Sequence, residues 1–167
     1  MNEQRDVDIL RELGEAYARI ATDPKQDERR RLWADHYSLK TTRPPIIAGF
    51  GMWNVWAREV FADENMECRD PELRGHERGL RMALFQDDIG DDTIQEPWFH
   101  VQAVRERHED GLWGVSLGRT TTGHDGDAWK FDPPVKDIVG DMEKLKTPRH
   151  RIDEEATAEK AERMDQI

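Results

Sequence analysis

Two adjacent prolines, Pro44 and Pro45, are followed at once by the apolar run Ile46-Ile47-Ala48-Gly49-Phe50-Gly51. Each proline pushes the residue before it into an extended conformation, so a helix cannot continue through this point. A short run with no polar residue is apolar on both faces, which is typical of a strand in a parallel sheet covered by helices. Residues 46–51 therefore predict the first strand of an α/β fold.

Helices are predicted on both sides of this strand. Apolar residues recur at helical spacing in four segments, at residues 7–22, 24–39, 70–86 and 153–167. Asp23 and Asp70 are each followed by proline, the order expected for a helix cap and the first helical residue. Gln26 completes a predicted capping box with Asp23, and Asp153 is the predicted cap of the last helix. Residues 52–61 predict a short helix or a loop packed on the strand.

A second strand region is predicted after the acidic turn that ends at Asp92. Residues 93–104 contain several apolar residues and are interrupted at Pro97. A strand, a helix and a further strand favour a right-handed crossover, so residues 46–50 and 93–95 are predicted to be adjacent and parallel. The turn-like sequence Glu109-Asp110-Gly111 predicts a hairpin over residues 99–120.

Charge and composition exclude several classes of function. The net charge of -11 argues against binding to nucleic acid or to an acidic membrane surface, because both need clustered cations. The longest apolar runs are too short to cross a bilayer, and residues 1–8 do not resemble a signal peptide. The single cysteine, Cys68, excludes an intramolecular disulfide and a multi-cysteine zinc site. We therefore expect a protein of the cytoplasm, which is a reducing compartment.

Motifs for metal binding and nucleophilic catalysis are absent from the sequence. None of the six histidines has the spacing of a known metal site, so no metal is predicted within this chain. No nucleophile motif such as G-x-S-x-G occurs. The cluster Asp87, Asp88, Asp91 and Asp92 is typical of a solvated turn, without calcium-loop spacing. Asp92 is the one member of this cluster with a predicted functional role, because a carboxylate at the start of a strand can point into a cleft.

Five segments together resemble the uroporphyrinogen decarboxylase-like superfamily, and they appear in the family's order. They are Arg30-Arg31-Leu32-Trp33-Ala34-Asp35-His36, Thr42-Arg43-Pro44-Pro45-Ile46-Ile47, Asp91-Asp92-Thr93-Ile94-Gln95-Glu96-Pro97, Asp141-Met142-Glu143-Lys144-Leu145-Lys146-Thr147-Pro148 and Asp153-Glu154-Glu155-Ala156-Thr157. The resemblance implies an α/β fold in which an N-terminal helical hairpin precedes the first βα units of an incomplete (β/α)8 TIM-type barrel. It divides the chain into a helical region, residues 1–40, and a partial barrel domain, residues 41–167. A third strand would follow Ile167, in a C-terminal barrel portion expected as a partner.

The same resemblance implies functional residues. Asp92 matches the aspartate that contacts the pyrrole N–H groups of a tetrapyrrole in the decarboxylases, and is the predicted catalytic residue. A carboxylate suits this role because it accepts several N–H hydrogen bonds and stabilises developing positive charge. Phe50, Trp53, Trp98 and His100 are the predicted ligand-binding residues. No cofactor is expected within this chain, whereas a corrinoid and zinc are candidates for the full-length protein.

The choice within the superfamily depends on arginines. The decarboxylases place arginines just after the first strand, where this sequence has Gly49-Phe50-Gly51-Met52-Trp53-Asn54, with Arg58 the nearest cation. We therefore expect the N-terminal portion of a methyltransferase-type relative that acts with a corrinoid or tetrapyrrole-like small molecule and is inactive alone. Two alternatives remain open: a uroporphyrinogen decarboxylase-type carboxy-lyase, and a non-catalytic α/β binding or interaction module. A homo-oligomer is also compatible with the sequence.

Overall fold

Two compact units make up the chain. The computed structural model describes residues 2–49, 53–106, 111, 113–123, 129–148 and 150–167. One unit contains Met1–Phe99 together with Ile167, and the other contains His100–Gln166. The division into residues 1–40 and 41–167 stays a prediction.

In the described residues of the first unit, all regular secondary structure is helical. Its α-helices are α1, Asn2–Ala21, α2, Lys25–Tyr37, α3, Trp53–Glu59, and α4, Pro71–Ile89, with a 3-10 turn at Asp63–Asn65. The helices predicted at residues 7–22, 24–39 and 70–86 are thus confirmed. Among the helices of the described residues, none is both long and apolar enough to span a membrane.

The ends of α4 follow directly from its sequence. The Asp70 side chain accepts hydrogen bonds from the backbone N–H groups of Glu72 and Leu73, at 2.9 and 3.0 Å, and Pro71 occupies the first turn. At the other end Gly90 has φ of 75°, a left-handed conformation that glycine adopts without a Cβ penalty. The chain therefore turns sharply after α4 and enters Asp91 and Asp92.

The core of the first unit lies where α1 packs on α4. Its buried apolar residues come from both helices and from the segment before α4, and they are Leu10, Cys68, Leu73 and Leu80. Partly buried apolar side chains of α1 and the chain's last residue, Ile167, pack around them. Burial of this apolar surface is the main force that holds the two helices together.

The second unit contains a small sheet and one helix. Strands β1, Gly118–Thr121, and β2, Trp129–Asp132, pair antiparallel, with Arg119 opposite Phe131. A 3-10 turn, Met142–Lys144, precedes the helix α5, Glu154–Asp165. The Asp153 side chain accepts a hydrogen bond from the backbone N–H of Ala156 at 2.9 Å, so the predicted cap of the last helix is confirmed.

The predicted incomplete (β/α)8 barrel is wrong for this chain. Helices predominate in the described residues, and their only two strands pair antiparallel in an open sheet. Neither strand falls in the segments predicted to be parallel neighbours, residues 46–50 and 93–95. The physical reason is that Ile46 and Ala48 are hydrogen-bonded to Asp92, Asp91 and Gln86, and these bonds take the place of a strand ladder.

The predicted hairpin over residues 99–120 is also displaced along the chain. The observed strand pair joins Gly118–Thr121 to Trp129–Asp132. Residues 118–120, predicted as the end of the hairpin's second strand, therefore belong to the first strand of the observed hairpin. Residues 107–110, which include most of the predicted turn, lie outside the described residues. The alternation of polar and aromatic side chains at 129–132 is the signal that fits the observed strand.

Candidate functional site

The acidic turn after α4 forms a polar site with many hydrogen bonds in the first unit. Asp91 and Asp92 follow the left-handed Gly90 and are both buried, at 8% and 6% exposure. Their carboxylates point at the extended segment that carries Ile46 and Ala48. Two buried neighbouring carboxylates must each be matched by donors, because an unpaired buried charge is strongly unfavourable.

Arg43 supplies the main partner of Asp92. Its two terminal nitrogens donate to the two carboxylate oxygens at 2.7 and 2.6 Å, a bidentate pair. The backbone N–H of Ile46 adds a third hydrogen bond at 2.8 Å. The Arg43 guanidinium and this N–H lower the pKa of Asp92 from 3.8 to about 2. The carboxylate is therefore ionised throughout the physiological pH range.

Asp91 is held by a different set of donors. One oxygen accepts from the backbone N–H of Ala48 at 2.7 Å and from the Gln86 side chain at 2.8 Å. The other oxygen accepts from the backbone N–H of Thr93 at 2.9 Å. Burial alone would raise the pKa of Asp91, but these donors outweigh it and lower the pKa on balance. Asp91 is thus a second acceptor that is charged at neutral pH.

A cavity of about 260 Å³ opens beside these carboxylates. Charged side chains of α2 and of the acidic turn dominate its lining, which consists of Lys25, Glu28, Arg29, Leu32, Arg43, Gly90, Asp91 and Asp92. Asp87 forms ion pairs with two of the cations, since it accepts from Lys25 at 2.7 Å and from Arg29 at 3.2 Å. The lining itself therefore carries equal numbers of cationic and anionic side chains.

The chemistry open to this site is binding and orientation. A carboxylate whose pKa is about 2 carries no proton to donate near neutral pH, and both oxygens of Asp92 already accept hydrogen bonds. Within the described part of the chain, no group of His, Cys, Asp and Glu could hold a metal ion. Asp92 is accordingly placed to position Arg43 and the segment at Ile46.

No protein-family model, curated protein or solved structure matches this chain. The resemblance to the uroporphyrinogen decarboxylase-like superfamily consequently rests on the five sequence segments alone. Three of those segments meet at Asp92, because Trp33 and Arg43 belong to two others and both donate to it. These contacts are structural relations between segments that sequence order alone does not provide.

The other predicted ligand-binding residues are scattered or undescribed. Phe50 lies outside the described residues, and Trp53 begins α3 with a side chain that is likewise outside them. Trp98 belongs to the first unit and is 53% exposed, whereas His100 is exposed at the start of the second unit. The grouping of these four side chains with Asp92 therefore stays a prediction.

Arg43, Gln86 and Asp91 belong to the site and were not predicted as functional residues. A signal for Arg43 was present, since an arginine before two prolines is held on extended backbone and can reach across to another segment. For Asp91 the sequence predicts only a solvated turn, because acidic clusters are usually exposed. Nothing in the sequence indicates that the Gln86 amide donates to Asp91 and to the Ala48 carbonyl.

A second group of buried carboxylates lies between α1 and α4. Glu77 is fully buried and accepts from the backbone N–H groups of Glu67 and Cys68, and from Arg81 at 2.8 Å. Asp6 accepts with one oxygen from the backbone N–H groups of Arg69 and Asp70 at 2.9 Å.

Cys68 lies within this second group. Burial, together with the nearby Glu77 carboxylate, raises the pKa of the Cys68 thiol to about 12. A thiol with so high a pKa is protonated and unreactive at neutral pH. The group thus joins the helices and provides no nucleophile.

An aromatic surface lies on one face of the hairpin in the second unit. Trp129 and Phe131 are about half exposed, and their rings meet edge to face with centroids 4.2 Å apart. The Arg119 guanidinium lies over the Trp129 ring, 4.9 Å from its centroid. Exposed aromatic and arginine side chains of this kind are enriched in contact surfaces between proteins.

Proposed function

We propose that this chain is the ligand-positioning N-terminal portion of a uroporphyrinogen decarboxylase-like enzyme of the corrinoid-dependent methyltransferase type. The supporting observation is the bidentate pair between Arg43 and Asp92, which joins two of the segments on which the resemblance rests. The proposal concerns the role of this site and does not depend on a barrel. In it the chain binds and orients a ligand, and does not complete a reaction by itself.

Arg43 is the group that would contact the ligand. Its side chain is 60% exposed, although its guanidinium is fixed against Asp92. Three of its five N–H groups donate to Asp92 and to the Pro44 carbonyl, which leaves two without a partner among the described residues. Asp92 is then a positioning residue that holds these two donors in one orientation.

The charge of the pair favours one class of ligand. Because Asp92 neutralises Arg43, the remaining N–H groups suit a neutral acceptor better than an anion. Corrinoids carry amide side chains, whose carbonyl oxygens are such acceptors, while porphyrinogens of the haem pathway carry carboxylates. This difference supports the methyltransferase-type reading over the carboxy-lyase alternative. A cytoplasmic location, with Cys68 as a free thiol, is part of the same proposal.

Isothermal titration with methylcobalamin and with uroporphyrin tests this proposal. Arg43→Met should weaken methylcobalamin binding by roughly ten- to a hundredfold, since a hydrogen bond to a charged group contributes about 1.5 to 3 kcal/mol. Arg31→Met is the matched control, because Arg31 is an exposed arginine of α2 in the same unit. Circular dichroism should show that both variants remain helical.

Three results would contradict the proposal. These are no binding of methylcobalamin to the wild-type chain, equal losses in the Arg43 and Arg31 variants, and tighter binding of uroporphyrin than of methylcobalamin. The last result would favour the carboxy-lyase alternative.

A non-catalytic interaction module is the second candidate, and the hairpin face around Trp129 and Phe131 favours it. In that reading the tryptophans at positions 53, 56, 98 and 113 would form a closed core. Trp98 and Trp113 are instead 53% and 52% exposed. A Trp129→Ala variant that leaves methylcobalamin binding unchanged would show that the hairpin acts independently of the Arg43 site.

A further inference from the structure

The segment at residues 45–49 is hydrogen-bonded along only one of its two edges. The backbone N–H of Ile46 donates to the Asp92 carboxylate, and the Ile46 carbonyl accepts from the Asp92 N–H, both at 2.8 Å. The N–H of Ala48 donates to Asp91 at 2.7 Å, and its carbonyl accepts from Gln86 at 2.8 Å. The acidic turn therefore replaces a neighbouring strand on this edge.

The opposite edge carries the alternate backbone groups. In an extended chain the N–H and C=O of successive residues point to opposite sides. The Ile47 N–H and C=O, the Pro45 C=O and the Gly49 N–H accordingly face away from the acidic turn. None of these four groups has a hydrogen-bond partner among the described residues. Ile47 is also 55% exposed, so this edge is open to solvent.

We propose that this open edge pairs antiparallel with the same edge of a second copy of the chain, about a two-fold axis at Ile47. The two Ile47 residues would exchange two backbone hydrogen bonds. On either side of them, the Gly49 N–H of each copy would donate to the Pro45 carbonyl of the other. This pairing satisfies all four open groups, which is the isologous arrangement that two-fold symmetry requires.

The residues of this segment favour a second copy as the occupant. Pro45 lacks an N–H, and the proposed register asks for none there, since only its carbonyl accepts from Gly49. Residues 44–49 carry no charge, so no like charges lie directly opposite each other. Ile47 faces Ile47 on one side of the paired strands, and Ile46 faces Ala48 on the other. The edge is therefore complementary to itself in both hydrogen bonding and apolar contact.

The rest of the chain makes this dimer weak and dependent on salt. Five residues a side bury far less area than a stable interface, which places the dimer among transient contacts. Each copy carries a net charge of -11, so repulsion between copies opposes the pairing. Salt screens this repulsion, and association should strengthen as ionic strength rises. This inference goes beyond the proposed function and does not involve the ligand contacts of Arg43.

Sedimentation velocity on the full chain, from about 10 μM to about 1 mM, tests for the dimer. The wild type should shift from monomer towards dimer over this range, and more so at high salt. Ile47→Pro should weaken association at least tenfold, because it removes the outward N–H and leaves the bonds to Asp91 and Asp92 intact. Ile47→Val retains the N–H and should remain within about twofold of the wild type.

Amide hydrogen exchange locates the contact. The N–H groups of Ile46 and Ala48 should be protected at every concentration, whereas those of Ile47 and Gly49 should become protected only as the dimer forms. If Ile47→Pro fails to fold by circular dichroism, Gly49→Pro removes the other outward donor at a position with open space around it.

Three outcomes overturn the proposal. A chain that stays monomeric over the whole range at high salt has no such dimer. A dimer in which the Ile47 and Gly49 amides exchange freely uses another surface. Equal association of Ile47→Pro and the wild type would show that the backbone edge does not contribute.

Discussion

The indole N–H of Trp33 donates to the backbone carbonyl of Asp92 at 2.7 Å. This bond ties α2 to the acidic turn, while the Asp92 side chain binds Arg43 and Ile46 on its other side. Asp92 thus joins three stretches of the first unit through its backbone and its carboxylate. Substitutions at this residue should therefore change the stability of the fold as well as ligand binding.

Asp92→Asn should reduce the free energy of unfolding by about 1 to 3 kcal/mol, because one buried acceptor of Arg43 becomes a donor. Urea unfolding followed by circular dichroism measures the change. Asp88→Asn is the matched control, since Asp88 is exposed and should change stability by no more than about 0.5 kcal/mol. Equal, small effects at both positions would contradict the bonding described for Asp92.

Acid should remove the contribution of Asp92 to stability. Its pKa is lowered from 3.8 to about 2 in the folded chain, so the contribution is fully present above about pH 4 and is lost as the pH falls through 2. The Arg43 side chain is 60% exposed, and solvent screening limits the effect to roughly 1 to 2 kcal/mol.

Urea midpoints measured between pH 5 and pH 2.5 test this dependence. Arg43→Met removes the main cause of the low pKa, so its midpoint should fall less steeply than that of the wild type. Parallel curves for the two proteins would count against the Arg43–Asp92 pair as the cause.

Alanine at two glycines of the α4 region should have opposite effects. Gly90→Ala forces a Cβ into a residue with φ of 75° and should destabilise the chain by about 1 kcal/mol. Gly79→Ala lies inside the helix with open space around the new Cβ, and should stabilise by up to about 1 kcal/mol. Thermal unfolding of both variants checks the signs, and a gain at Gly90 would contradict the left-handed cap.

Cys68 should resist alkylation in the folded chain. Burial raises the pKa of its thiol to about 12, so the thiolate fraction at pH 8 is on the order of a thousandfold lower than for an ordinary cysteine. Iodoacetamide labelling, measured by mass spectrometry with and without urea, tests this expectation. Rapid labelling without urea would show that the contact between α1 and α4 opens readily.

The sequence predicts helix boundaries correctly where the capping side chain bonds to N–H groups a few residues away. Asp70 before Pro71, and Asp153, bind N–H groups two or three residues ahead, as predicted. Gln26 shows the limit of such signals. Its side chain accepts from the distant Gln95 N–H and donates to the Ile20 carbonyl, and does not close the predicted capping box.

The apolar run at residues 46–51 misled the fold prediction for a physical reason. Period and composition do not distinguish a strand buried on both faces from an extended segment that is half exposed, as Ile46 and Ile47 are. What decides between them is the source of the hydrogen bonds. Here the source is a pair of side chains, Asp91 and Asp92, more than forty residues away along the chain.

Asp91 and Asp92 occupy the position that a neighbouring strand would take beside residues 46–48, and acid should therefore affect fibril formation by this segment. Charged carboxylates cover one edge of residues 46–48 at neutral pH, and a covered edge cannot extend a sheet indefinitely. Protonation weakens the acceptors of the Ile46 and Ala48 N–H groups, while the Asp92 N–H and the Gln86 amide still bond to the two carbonyls, so this edge opens in part. An edge with open donors can add a further copy, and acid should therefore extend the proposed pairing of two copies towards cross-β growth.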